Sequence, residues 1–446
     1  MPLDISSHVS LTGKTAVPGD LGLTLTTLAF GMLSGSEITI KNPSPSPEVG
    51  NLLSFLGQHG AEFERTDNTI QFRGGRFEGD VLIDENVPDA VLHCIICQAV
   101  FSASSVRISG GAGDRNHITR FIPELLKQCG LPEENVRSNG DDMVIDRADF
   151  SPEKIVHAAS VWAFEAVVSA AASSGSRIVV SYPPAAVDHI IGLLTFLGFH
   201  ISLTDTADTN DIEISRRLSR AKGKKGREIR SIEWPEKKGG IIDIPGDSTI
   251  AAAVCTAASL LERSNVTVEH VVWATGRRGF FEALRRMKAN IEWTPYTSKR
   301  IFGSARIKMK WSRSEGIHVT SEQAGTMIPE LLILGVVGAY ATGKTVIGDP
   351  PDFPGHGRDV YNILARALET LGAHAGDYTE GIALHGVQEL RGAVVDSAGN
   401  PGVALALAVA ALKAAGTTSI TGIESNEYPF NEFLHIINTL SAEIIS

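Results

Sequence analysis

The sequence has no apolar run long and uninterrupted enough to span a bilayer. Its first residues, Met1-Pro2-Leu3-Asp4-Ile5-Ser6-Ser7, carry neither the basic stretch nor the apolar core of a secretion signal, so a cytoplasmic protein with no membrane partner is expected. Positive charge is short as well. Forty Lys and Arg stand against 51 Asp and Glu, a formal charge of −11. Phosphate-backbone binding needs a basic surface, so this balance excludes nucleic acid as the main partner and requires any anion site to be built locally. Cysteine is scarce: Cys94, Cys97, Cys129 and Cys255 cannot staple 446 residues and fit a reducing compartment. His93-Cys94-Ile95-Ile96-Cys97 contains a CxxC, but it lies in an apolar helical run with no second ligand pair nearby, so it reads as buried helix cysteines and no metal is expected.

What is present describes an ordinary globular chain, 43% hydrophobic and 20% charged, too long for one core and therefore of two or more domains. One short stretch occurs twice, as Val17-Pro18-Gly19-Asp20 and as Ile244-Pro245-Gly246-Asp247. Each copy follows a short apolar run and precedes a small-residue helical pattern, in which Pro fixes φ, Gly bends the chain and Asp can cap the helix. Two matching marks of this kind imply one domain inserted into another: residues 1–20 plus 244–446 outside, 21–243 inserted.

Helices along the chain keep ending in one way, with a leucine-rich turn, a small residue and then a strand. Gly60, Gly130, Gly198, Ala289, Ala373 and Ala442 mark six such exits, at intervals of 70, 68, 91, 84 and 69 residues. A unit of about 70 residues used six times is the simplest account. Within a unit the order is strand, small-residue helix, strand, second helix, strand, strand, as in 37–41, 47–59, 61–65 and 70–73, which makes the class α/β. The long third interval holds a basic, Gly-bearing insertion, residues 216–238, which reads as a solvated loop or, functionally, as an anion-recruiting flap.

Gly338-Ala339-Tyr340-Ala341-Thr342-Gly343-Lys344-Thr345 fits GxxxxGK[ST] letter for letter. A phosphate loop needs a strand before it and a helix after it. Here the helical pattern, 328–340, comes first and a strand opens at Thr345, so no nucleotide site is expected.

Six repeats with a middle block bracketed by Pro-Gly-Asp resemble the enolpyruvyl transferase family over essentially the whole chain. Val17 to Gly35 is similar to the family's opening strand, turn and helix, and Ile244 to Ala253 to its second crossing. Thr275-Gly276-Arg277-Arg278-Gly279-Phe280 follows that crossing, while Val403 to Ala410 and Tyr428-Pro429-Phe430-Asn431-Glu432-Phe433 resemble the last repeat. The resemblance implies a two-domain inside-out α/β barrel of six βαβαββ repeats, with parallel helices inside, sheets outside and a cleft that closes on substrate.

The family's chemistry is not carried over. Its Lys-Ser and Arg after the first Pro-Gly-Asp become Leu21, Gly22 and Thr26, and its Asn-Ser/Ala-Gly-Thr segment becomes Asn86-Val87-Pro88-Asp89. Its Arg-Pro becomes His117-Ile118, and its Ser-Ser-Gln becomes Ser160-Val161-Trp162. The place of its acidic base falls near Thr326, its Lys-Glu becomes His356-Gly357, its Asp-His-Arg becomes Asn400-Pro401-Gly402, and its late Lys becomes Asn426. Each charge-assisted hydrogen bond to substrate is worth roughly 1.5–3 kcal/mol, so losing four or more cationic partners removes about 6–12 kcal/mol. Ordinary enolpyruvyl transfer does not survive that loss.

The expected ligand is therefore a small anionic hydroxylated ring, shikimate- or cyclitol-like, with acid/base or elimination chemistry and no cofactor. His356, His117 and Asp359 are the catalytic candidates, because imidazole transfers protons near neutral pH. Asp20, Thr24, Asp89, Arg115, Arg120, Ser160, Trp162, Arg277, Arg278, Glu330 and Arg358 are the substrate-binding candidates, with Glu165 and Glu322 beside them. Two alternatives stay open: a catalytically inactive sensor or scaffold, and a functional carboxyvinyltransferase with a rebuilt site.

Overall fold

The computed structural model describes residues 3–7, 10–33, 35, 37–84, 86–103, 105–109, 116–139, 142–149, 156–158, 161–174, 178–182, 188–205, 210–216, 239–297, 301–349, 357–378, 381–386, 389–424 and 427–442. The chain divides into two compact units. One is Leu21–Ile244 with Arg300–Phe302; the other is Met1–Asp20, Pro245–Lys299 and Gly303–Ser446.

The first unit holds helices α1 (Leu21–Gly31), α2 (Pro47–Gln58), α3 (Asp89–Val100), α4 (Asn116–Gln128), α5 (Val161–Ser174) and α6 (Asp188–Phe196). α1, α3 and α5 are mostly apolar and have no continuous polar face, and such a helix can only be interior. Val91 to Val100 and Ala163 to Ala172 are accordingly buried throughout, and α3 packs against both α1 and α5. α2 is amphipathic. Ser46 caps it by accepting from Glu48 N at 3.3 Å, and Leu52, Leu53, Phe55 and Leu56 form its buried face.

The second unit holds α7 (Ser248–Leu260), α8 (Gly279–Arg286), the short α9 (Ser321–Ala324), α10 (Leu331–Tyr340), α11 (Gly357–Thr370), α12 (Pro401–Lys413) and α13 (Phe430–Ala442). Here α7, α10 and α12 are the all-apolar helices, and each packs against the other two. Among the described residues no helix is long and apolar enough to cross a membrane.

Sheets lie outside the helices in each unit. The predicted β-α-β-α-β-β order appears in Asp80–Ile83, α3, Ser105–Ile108, α4, Val136–Asn139 and Asp142–Asp146, and the first two strands pair in parallel. The same parallel pairing joins Val156–His157 to Ile178–Tyr182, His318–Val319 to Lys344–Gly348, and Val394–Asp396 to Thr417–Thr421. In the two repeats that carry Pro-Gly-Asp the first strands are exchanged: Thr12–Ala16 pairs with Asn265–Val272, and Gly240–Asp243 pairs with Glu37–Lys41. The last repeat takes its antiparallel strand, Leu3–Ser6, from the start of the chain. The fold is thus α/β, with six repeats arranged three to a unit; among the described residues five of their sheets have four strands and the last has three.

The repeated helix exits rest on the left-handed backbone region. Gly60, Gly130 and Gly198 have φ of 86°, 93° and 90°, where glycine has no Cβ to clash. In the fourth and fifth repeats the left-handed residue is Lys288 (φ 64°) or Gly372 (φ 99°), one position before the alanines that mark those exits in the sequence. The Walker-like stretch has the reversed order expected of it, since α10 ends, Gly343 turns at φ 93°, and Lys344–Gly348 is a strand.

Candidate functional site

Both Pro-Gly-Asp copies belong to the second unit, where they lie side by side. Gly19 and Gly246 form an antiparallel bridge, Asp20 N donates to Pro245 O at 2.9 Å, and Asp247 N donates to Pro18 O at 2.8 Å. Gly246 is required by this approach, because a Cβ there would come within 2.6 Å of Val17 Cγ2. A β-bulge between Val268 and Val271 receives the second copy. Gly246 N donates to His270 O at 2.7 Å, and Val272 N donates to Gly246 O at 2.9 Å.

The two aspartates then act differently. Asp247 caps α7, accepting from Thr249 N at 2.8 Å and Ile250 N at 3.0 Å through Oδ1, and Tyr428 OH donates to its Oδ2 at 3.0 Å. Asp20 is fully buried and accepts from Arg277 Nη2 at 2.5 Å. The same Nη2 donates to Ser248 Oγ at 3.1 Å, and Ser248 Oγ donates to Glu330 Oε1 at 2.7 Å. Thr249 Oγ1 donates to that oxygen at 3.0 Å. Burial holds the Glu330 carboxyl above the usual carboxylate range, against the pull of Arg277 and the two hydroxyls. Asp20, Arg277 and Glu330, far apart in sequence, thus form one network around the start of α7. Two carboxyls face one guanidinium, so the cluster has no surplus positive charge and is rich in acceptors, suited to hydroxyl groups rather than to phosphate.

Arg278, beside it, pairs at 2.8 Å with Glu282 on α8. Glu322 lies in the first turn of α9.

In the first unit α1 follows the crossing with no titratable side chain at all. Thr24 is buried and accepts from Ser44 N at 3.0 Å. Asp89 opens α3 at the surface, and its charge, after burial, helps hold the Glu48 carboxyl of α2 above its usual range. Deeper along α3, His93 Nε2 lies 2.8 Å from Glu165 Oε2 of α5, both buried. The half-buried Trp162 stacks on the His93 ring, with centroids 5.1 Å apart and planes 11° from parallel. The CxxC cysteines are buried on α3, where burial pushes both thiols well up; Cys129 and Cys255, also buried, are pushed up to about 12.

Arg115, Ser160 and His356 lie outside the described residues, as does all of the basic insertion after Arg216. His117 and Arg120 lie on α4, and Arg358 and Asp359 in the first turn of α11. Sequence reasoning missed Ser248, Thr249 and Tyr428, whose hydroxyls give no pattern beyond helix-start and turn chemistry. It also passed over His93, set aside with the CxxC although Glu165 and Trp162 were both singled out.

The family model described as EPSP synthase (3-phosphoshikimate 1-carboxyvinyltransferase) matches residues 220–437. The 3-phosphoshikimate 1-carboxyvinyltransferase of Desulfitobacterium hafniense is 24% identical over 448 residues, covering 97% of this chain and 96% of that protein. That of Synechococcus elongatus is 27% identical over 445 residues, covering 98% and 95%. Among solved structures, the EPSP synthase of Acinetobacter baumannii superposes with a TM-score of 0.74 at 18% identity over 99% of this chain and 98% of that one. The enolpyruvyl transferase NikO of Streptomyces tendae superposes with a TM-score of 0.71 at 16% identity over 98% and 97%. With its α/β repeats and paired Pro-Gly-Asp crossing, and with similarity along nearly its whole length, this chain resembles the enolpyruvyl transferases, EPSP synthase among them.

Proposed function

We propose that this protein binds a small hydroxylated ring bearing a carboxylate and acts on it by proton transfer or elimination rather than by enolpyruvyl transfer. The observation that carries this reading is the first crossing. Where the family presents a Lys-Ser pair and an Arg, α1 has no charged side chain, and Arg277 is already matched by Asp20 and Glu330. Such a network accepts hydrogen bonds from ring hydroxyls. Arg278, Arg358, Arg115 and Arg120 are the cations proposed for the carboxylate, Ser160, Asp89 and Thr24 for further polar contacts, and Trp162 for a stacked ring face. His356, His117 and Asp359 are the proposed acid/base groups. A sensor or scaffold is the second reading. Its support is that Asp20, Arg277 Nη2, Ser248, Thr249 and Glu330 hydrogen-bond one another without a ligand.

A thermal-shift screen over shikimate-pathway acids, cyclitols and their phosphates tests the proposal, since a ligand at 100 times its Kd stabilises by about 2.7 kcal/mol. The expected result is a shift with unphosphorylated hydroxy acids and no phosphate release from phosphoenolpyruvate plus shikimate 3-phosphate. Phosphate release would instead establish a carboxyvinyltransferase with a rebuilt site. No shift with any ring compound would leave the scaffold reading. If a ligand turns over, unchanged turnover in His356→Ala would remove His356 from the chemistry.

A further inference from the structure

The buried interface of α3 with α5 is polar where packing alone would favour apolar residues. His93 and Cys94 come from α3, and Glu165 from α5. One donor atom from each, nitrogen, sulfur and oxygen, lies within 4.8 Å of the others, and all three residues are buried. Ser169, one turn beyond Glu165 on the same face of α5, lies against Cys94.

One of these groups is incompletely satisfied. His93 Nδ1 is buried with no hydrogen-bond partner, and His93 is only 1% exposed. No protonation state of the His93–Glu165 pair removes the problem. A neutral imidazole that donates from Nε2 leaves an unmet Nδ1 lone pair beside a buried carboxylate. A protonated ring, or a protonated Glu165, leaves an Nδ1–H with no acceptor. Native interiors rarely keep such groups without a water, an ion or a role.

We propose that this cluster is a binding site for a borderline-soft divalent cation, zinc being the best match. Cys94 Sγ, His93 and Glu165 are its ligands, and Ser169 Oγ or a water is the fourth. The donor set of sulfur, imidazole and carboxylate is the one zinc takes, whereas magnesium and calcium want oxygen alone. The charges balance: Cys94 loses its proton on binding, and one thiolate and one carboxylate neutralise the dication inside the unit. At bond lengths of about 2.0–2.3 Å, tetrahedral donors sit roughly 3.3–3.7 Å apart, so the cluster contracts by about 1 Å to close on the ion. Trp162, stacked on His93, holds the ring and screens it from water. The site is separate from the Asp20–Arg277 network and shares only Trp162 with the ring-binding reading.

The full-length protein, stripped by chelator and titrated with cobalt(II) alone, tests this. One equivalent should bind and produce a thiolate-to-cobalt charge-transfer band with tetrahedral d–d absorption, and zinc should erase both. Cys94→Ser should abolish the charge-transfer band, and His93→Gln and Glu165→Gln should each weaken binding at least tenfold. Cys129→Ser and Cys255→Ser should leave the spectrum unchanged. X-ray absorption of the zinc-loaded wild type should show one sulfur ligand, a readout that stands even if Cys94→Ser fails to fold. Absence of a charge-transfer band in the wild type, no sulfur in the zinc shell, or a band that survives in Cys94→Ser each overturns the proposal.

Discussion

Glu330 shows how a single side chain can sit at odds with its surroundings. It is buried, accepts from Ser248 and Thr249, and has its affinity for a proton raised by burial although Arg277 opposes the shift. A carboxyl whose folded pKa lies above its unfolded value keeps its proton longer in the native state. The stability it contributes is present below the unfolded value and is lost as pH rises through the folded one. Glu330→Gln keeps an oxygen that accepts both hydroxyls but cannot ionise. Urea unfolding of this variant should therefore show a flatter decline than the wild type as pH rises above the usual carboxylate range. A decline as steep as the wild type's would show that Glu330 does not hold its proton more tightly in the folded state.

At the level of elements, the paired crossing depends on α7 starting at one residue. Asp247 caps its first turn and anchors Tyr428, while Pro18 O receives the Asp247 N–H. Asp247→Ala should cost about 1–2 kcal/mol for the cap alone, read as a lower urea midpoint, with the Tyr428 hydroxyl left to find water. A cost below a few tenths of a kcal/mol would mean that the backbone bridge between Gly19 and Gly246 holds the helix start unaided. Much at this level was legible in the sequence. All-apolar, small-residue windows such as 251–260 and 403–412 could only become interior helices, and the glycines at the helix exits are where the chain turns through positive φ. The fourth exit was harder to place, because Lys288 takes the left-handed conformation without announcing it.

Over the whole molecule, the strand Leu3–Ser6 completes the sheet of Val394–Asp396 and Thr417–Thr421, and Thr12–Ala16 completes that of Asn265–Val272. Deleting residues 1–7 should open the edge at Thr417–Thr421 and lower the unfolding midpoint of the unit that holds α12, detectable as earlier exposure of α12 amides to hydrogen exchange. Unchanged protection would show that the helices alone hold that edge. By itself the sequence determined the α/β class, the repeats and the family resemblance, because periodicity, glycine turns and a duplicated Pro-Gly-Asp are local patterns that survive divergence. It also located Asp20, Arg277 and Glu330, but as separate candidates. Only the tertiary structure decided that they join through Ser248 and Thr249 into one network, and that His93 meets Glu165 and Trp162 across two helices. These contacts close over separations of 29 to 257 residues, where direction and distance depend on how whole helices pack and leave no trace in local spacing.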